Sequence, residues 1–166
     1  LNKLLEQRAY TDAHTGLPNK GACEVLLKNK ETVEKHTACI MFDLNNLKII
    51  NDTKGHSKGD KLILNFARFL RNIIPKEAFV GRYGGDEFMV VIYNTSKTEI
   101  EDILMQLSRE KDSLNSRGND MPIDYACGWA ISDADGECTI QMLLDKADYY
   151  MYENKQSRKK SMQSTK

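Results

Sequence analysis

Paired cysteines, long apolar runs and an excess of charge are all missing from this sequence, and each absence removes a class of function. The 24 Lys and Arg residues are matched by 24 Asp and Glu. That balance argues against a surface that coats nucleic acid, although it leaves room for a local basic patch. Cys23, Cys39, Cys127 and Cys138 are scattered, with no Cys-x-x-Cys pair among them. Neither a zinc knuckle nor a thioredoxin-like site is written here. The four are expected to be reduced thiols, Cys39 and Cys127 within apolar strand-like runs, as in a reducing compartment. No apolar stretch approaches the roughly 20 residues of a membrane span, and no leader pattern opens the chain. Internal repeats and low-complexity segments are absent too. What is present is 166 residues with 40% hydrophobic content, enough for one domain with its own core and no staple.

The chain starts at Leu1, without Met, inside a helical pattern. This suggests a cytoplasmic domain of a longer protein, with an upstream sensor or transmembrane segment that could tether it to the inner membrane face. Residues 1–10 read as the end of an incoming signalling helix, 11–160 as the domain, and 161–166 as a polar tail. Asn19 can cap a helix running to about Lys30. Thr37 to Leu44 is apolar and ends in Asp43, the pattern of a buried strand. A short helix around Leu47 to Asn51 is followed by a loop through Gly55 and Gly59. Lys61 to Ile74 has helical spacing and stops at Pro75. Ala78 to Tyr83 and Phe88 to Tyr93 form a hairpin with Gly84-Gly85-Asp86-Glu87 at its tip. A helix over Thr98 to Ser116, a polar loop, a strand over Ile123 to Ile131 and a helix over Ile140 to Asn154 complete the order. From Lys155 the Lys-rich chain is expected to fray. The order predicts an α/β sandwich of the split-βαβ kind, with an antiparallel hairpin in its middle.

Two acidic clusters carry the chemistry. Asp43 ends a buried strand, and Asp86 and Glu87 occupy the hairpin tip, so the three can converge without distorting their elements. Three carboxylates make a hard-oxygen site suited to Mg²⁺, which takes phosphate oxygens as further ligands. Acidic residues are also ordinary turn formers, and either cluster alone reads more simply that way. Gly84 and Gly85 leave the hairpin backbone open to a base or a phosphate, though hairpin turns favour glycine in any case. Asn51 and Asp60 can read a base edge: a carboxylate accepts two hydrogen bonds from guanine and finds no such pair on adenine. His56 is a lone loop histidine. Lys48, Lys155 and Lys159 can contact phosphates as point charges, although a Lys-rich tail is ordinarily just solvated.

The run Arg82-Tyr83-Gly84-Gly85-Asp86-Glu87-Phe88 resembles the signature of GGDEF domains, the bacterial diguanylate cyclases. Further segments agree in order and spacing: Asp12, Thr15-Gly16-Leu17 and Asn19; Asp43-Leu44, Lys48, Asn51-Asp52, Gly55-His56 and Gly59-Asp60; and Ala147-Asp148, Met151-Tyr152 and Lys155. The resemblance implies a central five-stranded mixed sheet wrapped by helices, akin to adenylyl-cyclase and polymerase-palm cores. It implies condensation of two GTP into cyclic di-GMP and two pyrophosphates, at a homodimer interface, with no nucleic-acid partner. Asp43, the Leu44 carbonyl, Asp86 and Glu87 would hold Mg²⁺, with Mn²⁺ as an alternative. One of Asp86 and Glu87 would help deprotonate the 3′-hydroxyl, and the residues leave open which. Asn51 and Asp60 would hold guanine, with Leu47 and His56 beside it, Gly84 and Gly85 would let the nucleotide lie against the hairpin, and Lys48, Lys155 and Lys159 would meet the phosphates.

Several positions depart from the family pattern. Asn45 stands where a second Asp is common, Leu47 where an aromatic often lies beside guanine, Arg158-Lys159 where Gly-Arg usually follows, and His14 where Leu is usual. Pro75 and Ala78 occupy the places of an Arg-x-x-Asp pair that binds inhibitory product in many members. A GTP-binding regulatory domain without catalysis is the alternative function. Asp60 argues against a changed base choice, and the length leaves no room for a polymerase's fingers and thumb.

Overall fold

The computed structural model describes residues 2–118, 120–132 and 137–164. Leu1 of the expected incoming helix, Asn119 of the expected polar loop, and Thr165 and Lys166 of the expected tail lie outside them. Along the chain run α1 (Asn2–Tyr10), α2 (Lys20–Lys28), β1 (Ala38–Leu44), α3 (Leu47–Lys54), α4 (His56–Ile73), β2 (Phe79–Arg82), β3 (Glu87–Ile92), α5 (Lys97–Ser116), β4 (Tyr125–Ile131) and α6 (Ile140–Ser164).

The described strands form one sheet in the order β2-β3-β1-β4, with every neighbouring pair antiparallel. Crossovers through α3–α4 and through α5 place β1 and β2, and β3 and β4, parallel with one strand between them, the split-βαβ arrangement. Two expectations are corrected. The sheet has four strands among the described residues, not five, and no parallel neighbours, so it is not mixed. The expected strand from Ile123 begins only at Tyr125, and for a physical reason. The Ile123 N–H donates to Asn115 Oδ1 (2.9 Å), and Asn115 Nδ2 donates to the Ile123 carbonyl (2.8 Å), so a side chain replaces the ladder there.

β1 and β3 are buried on both faces, which explains why they read as continuous apolar runs. Ile40, Phe42, Phe88 and Val90 pack on one side under α4 and α5. Cys39, Met41, Met89 and Val91 pack on the other under α2 and α6. Phe66 of α4 meets Phe88 edge-on at 5.1 Å, Phe42 at 6.2 Å and Tyr125 at 5.6 Å. This aromatic cluster lies beneath the strand ends that carry Asp43 and Glu87. All four cysteines are free, and burial pushes the Cys23 thiol up to about 12 and Cys127 to about 11.

Two segments expected as irregular are helical. His56 to Asp60 is the first turn of α4, not a loop. The chain beyond Lys155 continues α6 to Ser164. Asn154 Nδ2 donates to the Cys127 carbonyl (2.8 Å) and Arg158 Nη1 to the Tyr125 carbonyl (3.1 Å), so side chains from this stretch dock on the edge strand. α1 buries none of its described residues.

Candidate active site

The ladder between β1 and β3 sets Asp43 directly opposite Glu87. The Leu44 N–H donates to the Asp86 carbonyl (2.8 Å), tying the tip of the hairpin to the end of β1. The three carboxylate residues thus meet at one end of the sheet. Burial, and then the charge of Asp43, pushes the Asp86 carboxyl above its ordinary value. Glu87 is raised by burial and by the charges of Asp43, Asp86 and Asp148, against a lowering by Lys155. The Lys155 ammonium, from α6, contacts the Asp43 carboxylate.

Among the described residues, no three His, Cys, Asp or Glu side chains are drawn together tightly enough to enclose a metal ion as they stand. The donor chemistry nevertheless fits a hard divalent cation. Acidic neighbours raise the proton affinity of Asp86 and Glu87, and a cationic side chain already sits on Asp43 as a stand-in.

The hairpin tip is braced from the chain's opening turn. Arg82 donates from Nη1 to both Asp12 oxygens (3.3 and 3.2 Å) and from Nη2 to the Gly85 carbonyl (2.9 Å). Burial tends to raise Asp12, but hydrogen bonds from Thr15 and the Arg82 charge outweigh it and hold the carboxyl below its usual value. Neither Gly84 nor Gly85 has a left-handed φ. A Cβ on Gly84 would meet only ordinary contacts, at 3.5 Å or more, and one on Gly85 would meet nothing within 4 Å. The isolated fold therefore does not require glycine at either place.

α3 and α4 present the second group, joined through Gly55 at φ 90°. Leu47 and Asn51 are half-buried, while Lys48, His56 and Asp60 are exposed. Gly59 is buried against Asn51: a Cβ there would lie 1.7 Å from Asn51 Oδ1. The helix crossing that holds Asn51 thus depends on a missing side chain. His14 Nε2 lies 2.5 Å from the Asp60 carbonyl, a contact the sequence did not reveal. Lys159 is exposed on α6.

The departures at Asn45 and Arg158 prove to be linked. Asn45 Nδ2 donates to Asp124 Oδ2 (3.0 Å) and Arg158 Nη2 to Asp124 Oδ1 (3.2 Å). Asp124 was not singled out from sequence, and no local pattern marks it. Arg82 lay within the quoted signature without a role, although Asp12 offered a partner of opposite charge.

The family model described as "Diguanylate cyclase, GGDEF domain" matches residues 9–161. The chain belongs to the GGDEF domain family. It is 30% identical over 164 residues to the signaling protein YkoW of Bacillus subtilis strain 168, covering 95% of this chain and 20% of that protein. It is 31% identical over 170 residues to the diguanylate cyclase DgcP of Escherichia coli K12, covering 96% of this chain and 48% of that protein. The chain thus spans about a fifth to a half of the length of these curated relatives. A solved microbial GGDEF domain, described for its interaction with cyclic di-GMP, has a TM-score of 0.76 at 25% identity, covering 92% of this chain and 94% of that one. No helix among the described residues is long and apolar enough to cross a membrane.

Proposed function

We propose that this GGDEF domain is a diguanylate cyclase, joining two GTP molecules into cyclic di-GMP with release of two pyrophosphates. The observation that carries the reading is the meeting of Asp43, Asp86 and Glu87 at one sheet end, beside a glycine pair the fold itself does not need. Asp43, Asp86, Glu87 and the Leu44 carbonyl would hold Mg²⁺, or Mn²⁺ in its place. Such an ion polarises phosphoryl oxygens and offsets charge on the departing pyrophosphate. Asn51 and Asp60 hold the guanine edge, with Leu47 and His56 flanking it, and Gly84 and Gly85 admit the nucleotide against the hairpin backbone. Lys48, Lys155 and Lys159 meet the phosphates. The raised proton affinity of the Asp86-Glu87 pair suits one of them to accept the 3′-hydroxyl proton.

Each site holds one GTP, and the 3′-hydroxyl of one nucleotide must reach the α-phosphate of the other. Two domains therefore face each other, hairpin to hairpin, as a homodimer. An upstream sensor, membrane-anchored or cytoplasmic, would set that pairing by local concentration.

A second reading, a GTP-binding regulatory domain with little turnover, draws on Arg158. Arg158, in the place where the family usually has Gly, is bonded to Asp124 and the Tyr125 carbonyl, which leaves Lys159 alone to stand for the family's Arg. Calorimetry with a non-hydrolysable GTP analogue and its ATP counterpart tests the shared part of both readings. Metal-dependent binding of the GTP analogue, far tighter than the ATP analogue, is expected. Equal affinity for the two would remove the guanine assignment.

A further inference from the structure

Lys155 has an anchorage that a surface lysine does not need. Its neighbours on α6 are fixed to β4: Asn154 reaches the Cys127 carbonyl at 2.8 Å, and Arg158 reaches the Tyr125 carbonyl at 3.1 Å. One turn earlier, the helix backbone lies directly on Gly128, where a Cβ would come within 2.2 Å of the Met151 nitrogen. The ammonium is thereby delivered to Asp43 from a docked stretch of helix. The two side chains are 32% and 14% exposed, so the pair is shielded compared with an ordinary surface ion pair.

We infer that Lys155 is the counter-cation of the carboxylate cluster whenever no metal is bound, and that a divalent cation must displace it from Asp43. This rests on the metal reading given above and adds an order of events. Metal alone binds weakly, because it must first break the Lys155–Asp43 pair. Metal arriving with a triphosphate binds well, because the released ammonium finds phosphate oxygens as its new partners. Lys155 thus couples metal binding to nucleotide binding, and the coupling acts equally in both directions. A domain built this way avoids filling its carboxylates with metal when no substrate is present.

The test uses Mn²⁺ as the probe, without nucleotide, and reads the free ion by electron paramagnetic resonance. Wild type, Lys155→Met and Lys160→Met are compared, with circular dichroism confirming that each is folded. Lys160→Met removes one exposed charge from the same helix and controls for general electrostatics. Lys155→Met is expected to bind Mn²⁺ about tenfold more tightly than wild type, the factor equivalent to ~1.4 kcal/mol. Lys160→Met should stay within about twofold of wild type, as an exposed, screened charge does. Equal Mn²⁺ affinity in wild type and Lys155→Met would overturn the displacement while leaving the metal site intact. Equal tightening in both variants would overturn it too, since charge alone would then account for the effect. Absence of Mn²⁺ binding in all three, even with the GTP analogue added, would overturn the metal reading and this inference with it.

Discussion

Replacing Gly59 with Ala separates folding from recognition more cleanly than any other single change here. The added Cβ would lie 1.7 Å from Asn51 Oδ1 and 2.8 Å from its Cγ. That overlap is relieved when the Asn51 side chain swings away from its place. The next neighbour, Leu47 Cδ1, would be 3.3 Å away and can give slightly. The backbone is helical at this position, so Ala gains up to about 1 kcal/mol of helix propensity over Gly. That gain offsets the repacking, and the melting temperature should move by no more than about 2–4 °C. Asn51, however, would then no longer meet the guanine edge proposed as its partner. The GTP analogue should bind about tenfold to a hundredfold more weakly, which corresponds to ~1.4–2.8 kcal/mol. A double-mutant cycle sharpens the reasoning: Asn51→Ala with Gly59→Ala should bind no worse than Asn51→Ala alone. Wild-type affinity in Gly59→Ala would refute the role given to Asn51. A collapse of the melting temperature would refute the claim that only a side chain has to move.

Glu87→Gln should stabilise the metal-free domain while ending its response to divalent cation. Glu87 is raised by burial and by its acidic neighbours. The folded state therefore binds this proton more tightly than the unfolded chain, and wild-type stability falls as pH rises from the usual carboxylate range through the raised value. The variant's advantage should be absent in acid and reach ~0.5 kcal/mol at neutral pH, discounted for solvent screening; thermal melts across pH would show it, and a pH-independent difference would count against the cause. Phe66→Ala empties the aromatic cluster beneath the site and should cost about 3–5 kcal/mol, read by denaturant unfolding. Potent product inhibition is not expected. Ala78 is buried, its N–H donates to the Pro75 carbonyl (3.0 Å), and the nearby Arg71 is bonded to the carbonyls of Ala78 and Lys76 (3.3 and 3.2 Å). Added cyclic di-GMP should inhibit only by competition, and inhibition that saturating GTP fails to relieve would reveal a separate product site. Specific activity should rise with protein concentration, and further when a dimeric coiled coil is fused ahead of Leu1; strict proportionality from a proven monomer would contradict the dimer.

The strands were legible because β1 and β3 are buried on both faces, so their apolar runs stand out, and because a glycine pair marks the hairpin tip. The meeting of Asp43 with Asp86 and Glu87 followed from that framework. Less legible was anything set by side chains distant in sequence. The Lys155–Asp43 pair spans 112 positions and Asn45–Asp124 spans 79, and neither leaves a periodic trace. Gly55 and Gly59 punctuate the sequence as a loop would, yet Gly59 lies inside α4 because Asn51 occupies the space its side chain would take. The last turns of α6 lack the apolar spacing of an amphipathic helix, and Asn154 and Arg158 dock them on strand carbonyls instead. The start of β4 was misplaced for a similar reason, since Asn115 satisfies the Ile123 backbone in place of a neighbouring strand.

Whether this domain makes cyclic di-GMP, as proposed, is read from the mass of its product. Purified protein at high concentration is incubated with GTP and Mg²⁺ beside Glu87→Gln, and the nucleotides are resolved by mass spectrometry. Cyclic di-GMP and pyrophosphate are expected from the wild type, formed as two pyrophosphates per cyclic product, and neither from the variant. GTP bound but unconverted by a wild type held as a dimer would contradict it, as would product from Glu87→Gln at the wild-type rate.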